Sequence, residues 1–149
     1  MKKFEFNLEK LLSFKDQSLD SELMTLAILN SELKEAEDRL DALEEQKQKC
    51  KQDFENKMAG NVTPAAFQVY NSYQEFLSQQ IKNCVIEINH IKKKIEDQIE
   101  RIKELKIETK TLETLKEYRY EEYVKEGIKK SELEIEQFVT TTKLINMSY

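Results

Sequence analysis

The sequence predicts an all-α protein, a two-helix antiparallel coiled-coil hairpin whose second helix is the longer. Three observations predict it. Apolar residues recur in alternating steps of four and three along most of the chain, the 3.5-residue period of a coiled-coil seam. Only two glycines and one proline occur in 149 residues, too few for the many turns of a sheet protein. Gly60 and Pro64 then fall together near the middle, in the one stretch able to reverse a helix.

Helix one is expected over about residues 8 to 58. Asn7 is placed as its N-cap, with Phe6 and Leu11 at the spacing of a hydrophobic staple. From there the seam reads Leu8, Leu12, Lys15, Leu19, Glu22, Leu26, Leu29, Leu33, Ala36, Leu40, Leu43, Lys47, Cys50 and Phe54. Eleven of these fourteen are apolar, and the residues between them are mostly Glu, Lys, Asp and Gln. Lys15, Glu22 and Lys47 are the polar exceptions, a device that fixes register at a cost in stability.

The turn is expected at 59–63. Gly60 is placed as the C′ residue, where a left-handed backbone costs glycine little. Thr63 is placed as the N-cap of helix two and Pro64 as its first residue, where the missing N–H is not needed. Val62 and Phe67 repeat the staple spacing.

Helix two is expected over about 64 to 139. Its seam reads Phe67, Tyr70, Gln74, Leu77, Ile81, Cys84, Ile88, Ile91, Ile95, Gln98, Ile102, Leu105, Thr109 and Leu112. Off-seam Ile86, Ile99 and Ile107 widen the stripe. The phase falters at Lys116 and Arg119, and Val139 with Thr140-Thr141-Thr142 lowers helix propensity, so fraying is expected there. In an antiparallel pair partner numbers have a constant sum, and a sum near 124 suits this turn. That register sets Leu12 by Leu112, Leu33 by Ile91, Ala36 by Ile88 and Phe54 by Tyr70. It also holds Cys50 and Cys84 about 15 Å apart along the axis, beyond the reach of a disulfide.

One consequence concerns the end of the chain. Helix one begins near a partner at residue 119, so about 121–149 is expected to be unpaired. That stretch, with Tyr118 and Tyr120 beside it, carries Tyr123, Val124, Ile128, Leu133, Ile135, Phe138 and Val139. Apolar residues on an unpaired helix point to a docking surface.

Composition narrows the function classes. The net charge is −5, from 29 acidic and 24 basic residues of mixed order, so no basic track follows a phosphate backbone and nucleic acid is not an expected partner. No run of about 20 apolar residues exists to enter a membrane, and Glu5, Asn7 and Glu9 interrupt any signal-peptide core. A cytoplasmic protein is expected. The single His90 and two cysteines form no metal set, no Gly-rich phosphate loop occurs, and no nucleophile has a base at a plausible spacing. Neither catalysis nor a cofactor or metal is expected.

The entry Phe4-Glu5-Phe6-Asn7-Leu8-Glu9-Lys10-Leu11-Leu12 with Lys15 after it resembles the start of the FliJ family. So do the length, the turn position and Leu112-Glu113-Thr114-Leu115-Lys116-Glu117 leading to Tyr123 and Lys125. The resemblance implies a soluble cytoplasmic part of the flagellar type III export apparatus, peripheral to the membrane. It implies an antiparallel two-helix coiled coil similar to the central stalk of rotary ATPases. The implied partners are the hexameric export ATPase at the terminal end, the export gate membrane protein nearer the turn, and export chaperones. Carried onto this sequence, the ATPase-binding end falls on Phe4, Leu8, Leu11, Tyr118, Tyr123, Ile128, Leu133 and Phe138. The gate patch falls on Arg39, Leu43, Gln46 and Cys50 with Phe76, Gln80, Asn83 and Glu87. A general coiled-coil adaptor or holdase gripping client helices is the alternative. An amphipathic membrane binder built on Lys2, Lys3, Phe4 and Lys10 is weaker, because Glu5 and Glu9 lie among the lysines.

Overall fold

A computed structural model describes residues 2–58 and 60–148. Ala59 of the expected turn, and the terminal Met1 and Tyr149, lie outside the described residues. Two helices account for nearly all of it: α1, Glu9–Lys57, and α2, Pro64–Ser148. They pack antiparallel on each other, and no strand occurs among the described residues.

The seam is legible in the burial pattern. None of the fourteen seam positions on α1 is exposed, and between residues 8 and 58 only Ser18 is shielded besides them. On α2 thirteen of the fourteen are shielded, Phe67 being the exception. The off-seam Ile86, Ile99 and Ile107 are exposed, so they do not widen the stripe. A two-helix contact is narrow, and one residue of each step faces the partner.

Packing falls into two units. The first comprises Ser21–Ile102. Its densest part gathers Ala36, Cys84, Ile88 and Ile91, with Leu33, Leu40, Leu43 and Ile95 against them. Ala36 is 0% exposed, because its small side chain lets the backbones approach closely enough for Cys84 Sγ to donate to its carbonyl at 3.3 Å. Cys50 belongs to a different layer, beside Phe54 and Tyr70. Several polar seam residues are answered across the pair, whereas the buried Thr109 Oγ1 has no hydrogen-bond partner. Gln98 Nε2 donates to both the carbonyl and the carboxylate of Glu22, Arg101 lies 3.9 Å from the same carboxylate, and Gln74 Nε2 donates to the Lys47 carbonyl at 3.2 Å.

At the turn, Thr63 caps α2 as its sequence position predicts. Its Oγ1 accepts from Ala66 N at 3.1 Å, and its carbonyl accepts from Phe67 N at 3.1 Å. The Phe67 ring turns toward Phe54, 6.0 Å away, and Val62 is half-buried. Gly60 differs from expectation. Its N–H bonds the Lys57 carbonyl at 3.0 Å, but no described residue, glycine included, has a positive φ. Among the described loop residues 60–63 none is left-handed.

The second unit joins the residues up to Asp20 with those from Lys103 onward. Lys15 Nζ donates to Glu108 at 2.6 Å, and Lys116 pairs with Glu9 at 2.8 Å. These partner numbers add to 123 and 125, and those of the stacked Phe54 and Tyr70 in the first unit to 124, so the register predicted from the turn holds. The start of α1 is a correction. The first i to i−4 bond runs from Leu12 N to Leu8 O, so Leu8 and not Asn7 stands at the cap. Of the expected staple pair, Phe6 is buried while Leu11 is 41% exposed.

The N-terminal segment also moves the start of the unpaired end. Residues 2–6 carry no helix, yet they continue the contact along α2. It runs from Lys116, paired with Glu9, through Tyr120 against Phe4 to Tyr123 at the Lys2 carbonyl, and the last shielded residue is Gly127. Bare helix therefore begins at Ile128 rather than near 121. It also continues to Ser148, past the expected end near 139. β-branched threonines cost a few tenths of a kcal/mol each, and no glycine or proline follows to stop a helix already propagating.

Candidate functional site

The first candidate surface is the N-terminal clasp on α2. Phe4 sits edge-on to Tyr120, with ring centroids 5.3 Å apart, and 5.5 Å from Tyr123. The Tyr123 hydroxyl donates to the Lys2 carbonyl. A cleft of about 530 Å³ lies along this segment, edged by Lys2, Lys3, Arg119 and Lys130 and by Glu5, Glu122 and Glu126. The mixed charge leaves no single-sign field to select a phosphate or a cation. At Tyr118 the Glu122 carboxylate accepts from the phenol and pushes its pKa above the ordinary value, so this ring stays neutral.

Beyond the clasp α2 is bare. Every described residue from Ile128 to Ser148 is exposed, including Ile128, Leu133, Ile135, Phe138, Val139, Leu144, Ile145 and Met147. Of the residues assigned to the ATPase-binding end, Phe4 and Tyr123 are brought together. Leu8 is half-buried in the seam, and Leu11 is exposed on α1. Tyr118, Ile128, Leu133 and Phe138 are exposed, Phe138 at 72%. Missed in the sequence were Leu144, Ile145 and Met147, because the threonine run was read as the end of order. Phe6, expected only as a staple, is buried beside the half-buried Phe4, on a segment too short to show a period.

The second surface lies near the turn, within the first unit. Here Phe54 and Tyr70 stack with centroids 4.0 Å apart, flooring a cleft of about 660 Å³ that Gln46, Cys50, Val69 and Tyr73 also line. Gln46 Nε2 donates to the Tyr73 hydroxyl, and the Phe76 ring, 56% exposed, lies 6.4 Å from Tyr73. Of the gate patch, Gln46 and Cys50 are thus brought together. Arg39 and Glu87 form an ion pair at 2.9 Å. Asn83 accepts from Gln79 at 3.0 Å, Gln80 is half-buried, and Leu43 packs against the core cluster rather than facing outward. Tyr73 was not singled out in the sequence. It falls one residue off the seam and three before Phe76, the spacing that puts two rings side by side on a helix.

No group of three or more His, Cys, Asp or Glu among the described residues could hold a metal ion. No helix of the described residues is long and apolar enough to cross a membrane.

An antiparallel coiled-coil pair with an aromatic clasp, an apolar cleft by its turn and a bare helical end belongs to the class of proteins that act by presenting helical surfaces. The family follows from comparison with known proteins. The family model described as "Flagellar FliJ protein" matches residues 4–135. The chain belongs to the FliJ family, and so is a component of the flagellar export apparatus. Neither the curated proteins nor the solved structures contain a match to it.

Proposed function

We propose that this chain binds the hexameric flagellar export ATPase through the bare end of α2 and the N-terminal clasp beside it. It contacts the export gate protein through the face near the turn, so linking ring and gate and promoting ATPase assembly and activity. Recycling of export chaperones belongs to the same role. The observation that carries the reading is the exposed apolar series from Leu133 to Met147, because surface of this kind on a charged helix marks a contact with another protein. The exposed Phe76 beside Tyr73 supports the gate contact in the same way, aromatic anchors being the usual centres of such interfaces.

The test uses the immobilised chain and the purified export ATPase. Full-length protein is expected to capture the ATPase and raise its rate of ATP hydrolysis. Every described residue that a deletion of 131–149 removes is exposed helix, so the deletion should keep the remaining helical circular dichroism and lose both effects. Capture of the ATPase by the deletion at unchanged affinity would overturn the reading. In a parallel arm, Phe76→Glu should weaken capture of the soluble part of the gate protein by more than about tenfold, the loss typical of an aromatic anchor.

A further inference from the structure

The bare end of α2 has two apolar faces. Ile128, Ile135, Phe138 and Ile145 share one of them, and Leu133, Leu144 and Met147 lie on the other, as a turn of 3.6 residues dictates. The first face is a continuation of the seam. After Lys116 the steps to Tyr120 and Val124 are both four, a stutter that shifts the phase. Steps of four and three then resume as Val124, Ile128, Ser131, Ile135, Phe138, Thr142 and Ile145. Within this series the cover ends partway. Val124 is half-buried and Gly127 is buried, beside the cleft that residues 2–7 line, whereas Ile128 to Ile145 are all exposed.

We propose that a second copy of this chain covers this face, the two ends of α2 pairing antiparallel. The order of the residues is what points to a second copy. With partner numbers adding to 273, Ile128 meets Ile145 of the second copy, Ile135 meets its Phe138, and Ser131 meets its Thr142. Each layer then occurs twice about a twofold axis, as an isologous interface requires. Apolar residues meet apolar ones and the two small hydroxyl residues meet each other. At the flanks Glu132 faces Val139 and Glu134 faces Thr141 of the second copy, so no like charges oppose.

Other alignments are worse. One heptad away, with numbers adding to 266, Ile135 meets Ser131, and Glu132 and Glu134 each lie beside their own copies. A parallel pair would crowd two clasped ends, each with its N-terminal segment at 2–7, side by side at residue 130. The antiparallel pair instead sets each clasped end against the slim 142–148 end of the other chain. Leu133, Leu144 and Met147 remain outside the pair and free for another protein. The proposal does not depend on the ATPase reading, because its test needs only the purified chain.

Sedimentation velocity over a series of concentrations should show full-length protein passing from 17.7 kDa to twice that mass. Ile135→Lys should hold it at the single mass with its circular dichroism unchanged. In a Cys50→Ser background, Ser131→Cys mixed with Thr142→Cys should oxidise to a disulfide-linked pair, while Ser131→Cys alone should not. A single mass at the highest soluble concentration, a doubled mass that survives Ile135→Lys, or linking of Ser131→Cys alone as efficiently as the mixture, would each overturn the proposal. Capture of the export ATPase by the single-mass variant would bear only on the other reading.

Discussion

At the scale of single residues the turn is the most instructive place. Thr63 and Pro64 do what their positions predict, because an N-cap is a local matter of one hydroxyl and one amide: Oγ1 of Thr63 accepts from Ala66 N. Gly60 does not, because its conformation depends on how the whole loop closes. The two residues therefore diverge under mutation. Thr63→Ala should lower stability by about 1 kcal/mol, the typical worth of a cap. Gly60→Ala should be neutral or stabilising by about 0.5 kcal/mol, through reduced freedom of the unfolded chain. A Cβ there meets only the Lys57 carbonyl at 3.6 Å, an ordinary contact. Urea denaturation of both variants checks this, and a loss exceeding that of Thr63→Ala at Gly60 would mean that the loop needs a left-handed residue.

At the scale of elements the helices were legible and the N-terminal segment was not. Period alone identifies α1 and α2, since every third or fourth residue in sequence reports the same face. Residues 2–7 are too few to show a period, and their role depends on Tyr120 and Tyr123, more than a hundred positions away. Phe6 is the residue by which this segment is anchored, buried at 8% exposure. Phe6→Ala should cost about 2 kcal/mol, as burial of such a side chain is worth. The loss should be local: amide hydrogen exchange should quicken across 117–130 and stay unchanged across the 33–43 and 84–95 core. Uniform quickening of both would show that the clasp is not a separable element. The gate patch was only partly legible for a related reason. Leu43 lies on the seam by its period and packs in the core, whereas the pairing of Gln46 with Tyr73 needed the register of both helices.

For the whole molecule, family membership ties the chain to the flagellum. Deleting its gene in the host bacterium is expected to abolish swimming, with few or no filaments seen by electron microscopy. A plasmid copy should restore both, and normal filaments in the deletion strain would contradict an essential role in export. What the sequence by itself determined is what repeats along it: the helical class, the fourteen-position seams, the reversal at Thr63-Pro64 and the antiparallel register. Repetition averages out local accidents, so such features survive without knowledge of contacts. Tertiary structure alone decided where cover ends on α2. Residues 2–6 carry no helix and so no period, yet Phe4 closes on Tyr120 and Tyr123. Only those contacts across the chain set the limit of cover, beyond which every described residue from Ile128 on is exposed.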